Sequence, residues 1–198
     1  KTVVFTPDVH KTLELKSPRL WWPNNYGRQE LYTMDVVVAE KGVSSDSKKV
    51  RFGVRELSYE LEVCFPDDSI RRVEYRPTVM GQGEPIFDNI NRKYIEGGMC
   101  MPRLKKNVSS DILVPAPDKA MQHYMVIKVN GKRIFCKGGN WGMDDAMKRV
   151  SREHLEPYFR LHKEANFNMI RNWTGESTEE SFYELLMNMV CWFSMTSG

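Results

Sequence analysis

IKVNGKRIFCKGGNWGMDDAMKRVSREHLEPYFRLHKEANFNMIRNW, running from Ile127 to Trp173, is the stretch on which the fold turns. Two short β-branched runs, Val126–Val129 and Lys132–Phe135, flank Asn130-Gly131. Asn-Gly tolerates positive φ at both central positions of a type I′ turn, so the three together predict a hairpin. The second run continues into Cys136-Lys137-Gly138-Gly139-Asn140-Trp141, predicted as a strand that breaks at its glycine pair and presents Asn140 and Trp141. A helix is predicted from Ser151 to Ala165. Ser151 suits its N-cap, Leu155, Tyr158, Phe159 and His162 recur at helical spacing, and Pro157 limits the regular helix to begin near it. Asn168-Met169-Ile170-Arg171 then reads as a second strand, ending in Arg171, Asn172 and Trp173. Strand, helix and strand over about forty residues is the pattern of a parallel βαβ unit. In barrels built from such units, polar and aromatic residues just past the strand ends form the mouth of the active site. Here two strand ends carry a Trp beside a polar partner.

Working outward, Ser177-Thr178-Glu179-Glu180 reads as a capping box opening a helix over Thr178–Leu186, with Phe182, Leu185 and Leu186 on its inner face. Met189–Phe193 would be a third strand. On the other side, Leu57–Phe65 has an apolar residue at every odd position, the pattern of a half-buried strand. Pro66–Ser69 makes a turn, and Ile70–Arg76 returns as its hairpin partner. Val79–Gln122 is rich in glycine and proline and has no period, so it is expected to be an insertion or linker. Between Lys1 and Leu57 the signal is short strands, including Lys1–Phe5, Val9–Leu15 and part of Leu31–Ala39, with Lys41–Lys49 as a polar loop. That spacing suggests a β-sandwich, and three or four strands are too few for the usual seven or so, so the domain is expected to be cut on its N-terminal side. Trp21, Trp22 and Tyr26 beside a Pro-Asn-Asn turn could form a sugar-stacking platform, but such aromatics more often pack a domain edge.

Several of these runs resemble one family. Gly138-Gly139-Asn140-Trp141, Asn168-Met169-Ile170-Arg171-Asn172-Trp173 and Phe182-Tyr183-Glu184-Leu185 are similar to the start of the catalytic barrel of glycoside hydrolase family 2, in its β-mannosidase and exo-β-glucosaminidase branch. Leu20-Trp21-Trp22-Pro23-Asn24-Asn25-Tyr26-Gly27 and Arg51-Phe52-Gly53-Val54-Arg55 resemble the end of the immunoglobulin-like sandwich that precedes that barrel. The order of the motifs is the family's order. The resemblance implies an α+β fragment: part of an immunoglobulin-like β-sandwich (1–57), a hairpin with an irregular insertion (58–125), and the first two or three βα units of a (β/α)8 TIM barrel (126–198). It implies a retaining, exo-acting β-glycosidase whose substrate is a β-linked sugar, a β-mannoside first, with β-glucosaminide and β-galactoside as neighbours.

Such enzymes need two carboxyl groups across the scissile bond. In the resembling enzymes these glutamates come from the fourth and seventh barrel strands, so the resemblance assigns no catalytic residue here and implies an inactive fragment. It assigns a sugar subsite instead: Asn140, Trp141, Asp144 or Asp145, Arg171 and Trp173, with the aromatics stacking on a sugar face and the polar groups gripping hydroxyls. Two departures stand out: Leu186–Phe193 is shorter than the family's helix end and strand, and Thr174-Gly175-Glu176 replaces a glycine run. The rival reading is a non-catalytic carbohydrate-binding or interaction module of the sandwich type. A degenerate remnant without activity is a third.

Composition narrows the classes. In 198 residues, 41% hydrophobic content suffices for a globular core, and a net charge of +3 with dispersed basic residues gives no nucleic-acid footprint. No run approaches the ~20 apolar residues of a membrane span. Cys64, Cys100, Cys136 and Cys191 lack metal-ligand spacing, so no metal and no cofactor is expected. No signal peptide is visible. Oligomeric state and compartment stay open, with a secreted, periplasmic or lysosome-like setting compatible with the parent.

Overall fold

The computed structural model describes residues 6, 8–77, 85–94, 100–109, 113–116, 125–142, 145–173, 176–189 and 191–193. It is mostly β-sheet with two α-helices.

Strands β1 (Tyr32–Glu40) and β2 (Val43–Phe52) form an antiparallel ribbon that turns at Lys41-Gly42, both with positive φ. The polar loop expected over Lys41–Lys49 is therefore mostly strand. Its Ser, Lys and Asp residues are exposed, so no apolar alternation marked it. The alternation at Val9–Leu15 was also misleading: Lys11–Leu13 is a turn of 3-10 helix with no buried residue. The strand expected at Lys1–Phe5 lies outside the described residues.

The largest sheet has seven strands. At its centre β3 (Leu57–Cys64) pairs antiparallel with β4 (Ile70–Tyr75), as the Leu57–Arg76 hairpin reading required. Parts of the expected insertion join the same sheet as β5 (Phe87–Tyr94), β6 (Cys100–Leu104) and β7 (Val114–Pro115). Val63, Phe65, Val73, Ile86, Leu104 and Leu113 form its core. The predicted Asn-Gly hairpin is present as β8 (Val126–Val129) and β9 (Lys132–Ile134), with φ of 49° at Asn130 and 76° at Gly131. β8 pairs with β3, so the hairpin extends this large sheet.

The alternation in β3 marked the strand but not its buried face. Glu60, on the polar side, is buried, and Ser58 and Glu62 are buried too. Arg133 reaches across from β9 and donates two hydrogen bonds to the Glu60 carboxylate, at 3.0 and 2.8 Å. Arg72 and Lys128 lie 3.7 and 3.9 Å from it. Lys128 also donates to Glu74, whose carboxyl that bond holds below its usual range, with Arg76 assisting. A cross-strand ion network thus lies on the face of the sheet opposite the apolar core.

A third sheet is parallel, in the order β10 (Gly138–Trp141), β11 (Met169–Asn172), β12 (Cys191–Phe193). Helix α1 (Arg152–Glu164) joins the first pair and α2 (Glu180–Met189) the second. The run expected to continue from Lys132 to the glycine pair is split: β9 ends at Ile134, and the first parallel strand starts only at Gly138, so the glycine pair lies inside it. The reason is steric: a Cβ on Gly138 would fall onto the carbonyl oxygen of Met169 in β11, so only glycine permits that approach. Buried Asn168 fastens the crossover, accepting from Lys137 N at 2.8 Å and donating to Phe135 O at 3.0 Å.

Ser151 caps α1 as expected, its hydroxyl accepting from His154 N. The helix nevertheless starts at Arg152 and carries Pro157 inside it. The side-chain cap and the burial of Leu155 and Phe159 secure the turns on both sides of the missing N–H. Asn166, with φ of 61°, ends the helix in the left-handed conformation. α2 begins at Glu180, later than the capping-box reading put it, because Ser177 is engaged elsewhere. Trp141, Leu155, Phe159, Ile170, Phe182, Leu185 and Leu186 fill the core between the parallel strands and the two helices.

Leu20–Tyr26 is the joint between these parts. Trp21 Nε1 donates to Met187 O at 2.7 Å, Asn24 Nδ2 to Lys163 O at 3.1 Å and Phe167 O at 3.0 Å, and Asn25 Nδ2 to Asn166 O at 3.3 Å. Tyr26 OH accepts from Phe135 N at 2.8 Å, and Asn130 Nδ2 donates to Trp21 O at 3.0 Å. The packing reading of these aromatics, rather than the sugar platform, is what the contacts show for Trp21 and Tyr26.

Candidate functional site at the ends of the parallel strands

Alternation along β10 and β11 separates two faces. Register pairs Gly139 with Ile170 and Trp141 with Asn172; Trp141 and Ile170 pack into the core against the helices, and Asn172 is buried. Asn140 pairs with Arg171 on the opposite, helix-free face. Arg171 Nη1 donates to Asn140 Oδ1 at 3.4 Å, a long bond, and its guanidinium lies over the Trp173 ring at 4.5 Å. Trp173, just past the end of β11, is 43% exposed. Asn140, Arg171 and Trp173 therefore share one end of two neighbouring strands, with an aromatic face, a cation and an amide together. That set can stack on an apolar ring face and hydrogen-bond to hydroxyls.

The other expected site residues are placed differently. Trp141 reaches the same end of the sheet, but its ring turns inward against Tyr158, Phe159, His162 and Phe182 and is only 7% exposed. Its indole N–H donates to Ser177 Oγ at 3.0 Å. Strand alternation dictates this: residue 140 and residue 141 cannot face the same side. Asp145 staples the turn before α1, accepting from Met147 N at 2.9 Å and pairing with Arg149. The Arg149 hydrogen bond, then the Met147 N–H, hold its carboxyl at about 2. Asp144 lies outside the described residues.

Of the carboxyl groups around the helices, Glu179 has a buried Oε2 without a hydrogen-bond partner among the described residues. Glu184 pairs with Arg152 at 3.0 Å, and Glu180 lies in the first turn of α2. Glu176 lies beside the end of β10: a Cβ added to Gly142, the residue after that strand, would be 4.0 Å from its Oε2. Among the described residues no group of three or more His, Cys, Asp or Glu side chains is arranged to hold a metal ion, and no helix is long and apolar enough to cross a membrane.

The site also has members that the sequence reading gave other roles. Buried Asn172 donates Nδ2 to Ser177 O at 2.7 Å and accepts from Ser177 N at 3.2 Å through Oδ1. Tyr183 OH donates to the same carbonyl at 3.2 Å. The pairing of an Asn and a Ser five residues apart across a strand end has no local signature.

Residues 1–55 match the model for glycosyl hydrolases family 2. Over 168 residues the chain is 27% identical to a mannosylglycoprotein endo-β-mannosidase from Lilium longiflorum, covering 84% of this chain and 12% of that protein. An exo-β-D-glucosaminidase from Streptomyces avermitilis is 24% identical, across 93% of this chain and 14% of its own. Another from Hypocrea jecorina reaches 42% over 62 residues, 29% of this chain and 7% of the relative. The crystal structure of exo-chitosanase CsxA from Amycolatopsis orientalis superposes with a TM-score of 0.51 at 17% identity, over 90% of this chain and 14% of that one. The resemblance to this family, in its β-mannosidase and exo-β-glucosaminidase branch, thus holds for sequence and for fold. The chain spans about an eighth of the length of the first two relatives.

Proposed function

We propose that this chain, a relative of the glycoside hydrolase family 2 enzymes, supplies one wall of the sugar subsite of a retaining, exo-acting β-glycosidase acting on a β-mannoside. The observation that carries the proposal is the cluster of Asn140, Arg171 and Trp173 at one end of adjacent parallel strands. Under this reading β10, α1, β11, α2 and β12 are the opening βα units of a (β/α)8 barrel, and residues 1–57 are the end of the sandwich before it. Active-site residues in such barrels gather at the C-terminal strand ends; Asn140 and Arg171 are the penultimate residues of β10 and β11, and Trp173 directly follows β11.

The roles follow from the chemistry. Trp173 offers its ring to the apolar face of a pyranose, and Arg171, held over that ring, points donors at hydroxyl oxygens. Asn140 fixes the guanidinium and contributes an acceptor and donors of its own. Asp145, committed to Arg149, contributes to the site by ordering the turn after β10, and Asp144 beside it is proposed as a hydroxyl acceptor. Trp141 supports the wall from behind. A retaining glycosidase also needs two carboxyl groups about 5–5.5 Å apart, and by the family resemblance these glutamates come from later strands. Residues 1–198 alone are then without turnover and bind sugar weakly.

The test has two arms. Purified chain is incubated with aryl β-mannoside, β-glucosaminide and β-galactoside, and no aryl release is expected. Methyl β-mannoside is titrated while the tryptophan indole N–H signals are followed by NMR. Binding is expected with Kd of about 1 mM or weaker, equivalent to about −4 kcal/mol at most, and Trp173→Ala should abolish it. Turnover lost in Asp145→Ala, or sugar binding untouched by Trp173→Ala, would overturn the assignment.

A further inference from the structure

We infer that Trp141, Ser177 and Asn172 form a positioning device that sets the pose of Trp173. The inference rests on the subsite reading above and adds residues that do not touch the sugar. Ser177 and Asn172 are 4% and 5% exposed, and Trp141 is 7% exposed. Ser177 is bonded at three points: its N–H goes to Asn172 Oδ1, its carbonyl accepts from Asn172 Nδ2 and Tyr183 OH, and its hydroxyl oxygen accepts from Trp141 Nε1. One residue earlier, Glu176 N donates to Trp173 O at 3.1 Å, closing the backbone on the exposed aromatic. Trp173 is thereby bracketed on both sides. Arg171 holds its ring, and the bond from Glu176, next to the clamped Ser177, holds its main chain.

The physical argument concerns the difference between a buried and an exposed bond. An exposed Trp at a strand end gains little from its own contacts and would sample several rotamers. A buried polar set bonded in this way favours one arrangement, because breaking any of its bonds leaves a desolvated donor or acceptor without a partner. The core therefore transmits its rigidity outward through the indole N–H of Trp141. On this account Trp141 works for the subsite through a hydrogen bond facing away from it.

The full 198-residue chain is compared with Ser177→Ala, Ser177→Thr, Trp141→Phe and the Ser177→Ala/Trp141→Phe double variant. The readouts are 15N relaxation of the Trp173 indole, methyl β-mannoside affinity and the unfolding midpoint. Ser177→Ala should drop the Trp173 order parameter from about 0.85 toward 0.6 and weaken binding about five-fold. Ser177→Thr, which keeps the hydroxyl, should restore both. Trp141→Phe should match Ser177→Ala, and the double variant should lose no more than either, since both remove one bond. Unchanged Trp173 order in Ser177→Ala, or losses that add in the double variant, would overturn the positioning role. If the parent chain binds no sugar while Ser177→Ala still loosens Trp173, the subsite reading falls and the positioning device stands.

Discussion

Removal of the Arg133 side chain tests how much the buried carboxylate of Glu60 depends on its partner. Arg133 donates two hydrogen bonds to Glu60, at 3.0 and 2.8 Å, and the Glu60 side chain is 1% exposed. Hydrogen bonds to charged groups contribute about 1.5–3 kcal/mol each, so two in a sealed site would be worth about 4 kcal/mol. Two features lower that figure. The Arg133 side chain is itself 46% exposed, and Arg72 and Lys128 remain at 3.7 and 3.9 Å to share the charge. Arg133→Ala is therefore expected to cost about 2 kcal/mol, a fall in Tm of about 4–8 °C for a chain of this size. Glu60→Gln should cost more, about 3 kcal/mol, since it leaves three cations facing a neutral amide. Urea unfolding of both variants and of the double variant gives the coupling. An Arg133→Ala loss below about 0.5 kcal/mol would show that the two remaining cations satisfy Glu60, and the network argument would be wrong.

Two further outcomes are expected. Asp145 should titrate at about 2 when its carboxyl carbon is followed by NMR, and return toward the ordinary aspartate range in Arg149→Ala. Because the folded value is depressed, the contribution of this turn is present above about 3.9 and is lost as pH falls through 2; a midpoint near 4 in the parent chain would refute the pairing. Gly138→Ala should uncouple β10 from β11, seen as loss of protected amides at Gly139 and Ile170 and a destabilisation of about 3 kcal/mol or more. A soluble variant with native amide protection would mean the strands can move apart without penalty.

The parts of this fold that were legible in the sequence are those fixed by local physics. Asn130-Gly131 announced its hairpin because few other dipeptides accept positive φ twice. Ser151 announced its helix because the hydroxyl caps three residues on. The parts that were not legible depend on partners far along the chain. Nothing local shows that Gly138 faces a carbonyl of residue 169, so the first parallel strand was expected too early. Nothing in the alternation of Leu57–Phe65 shows that Arg133 would come to cover Glu60. At the candidate site the residue types were readable and their directions were not. Asn140-Trp141 was read as one presented pair, yet adjacent strand residues face opposite ways, and the larger ring took the dry side.

The joint at Leu20–Tyr26 has a consequence for how this protein tolerates change. Its side chains speak almost wholly to main-chain atoms: Trp21, Asn24 and Asn25 donate to the carbonyls of Met187, Lys163, Phe167 and Asn166. A carbonyl is the same whatever side chain it carries. Drift is therefore lopsided. The donors are held to their identity, while Met187, Lys163 and Phe167 answer to this joint only through their carbonyls; Asn166 is held separately, by its positive φ.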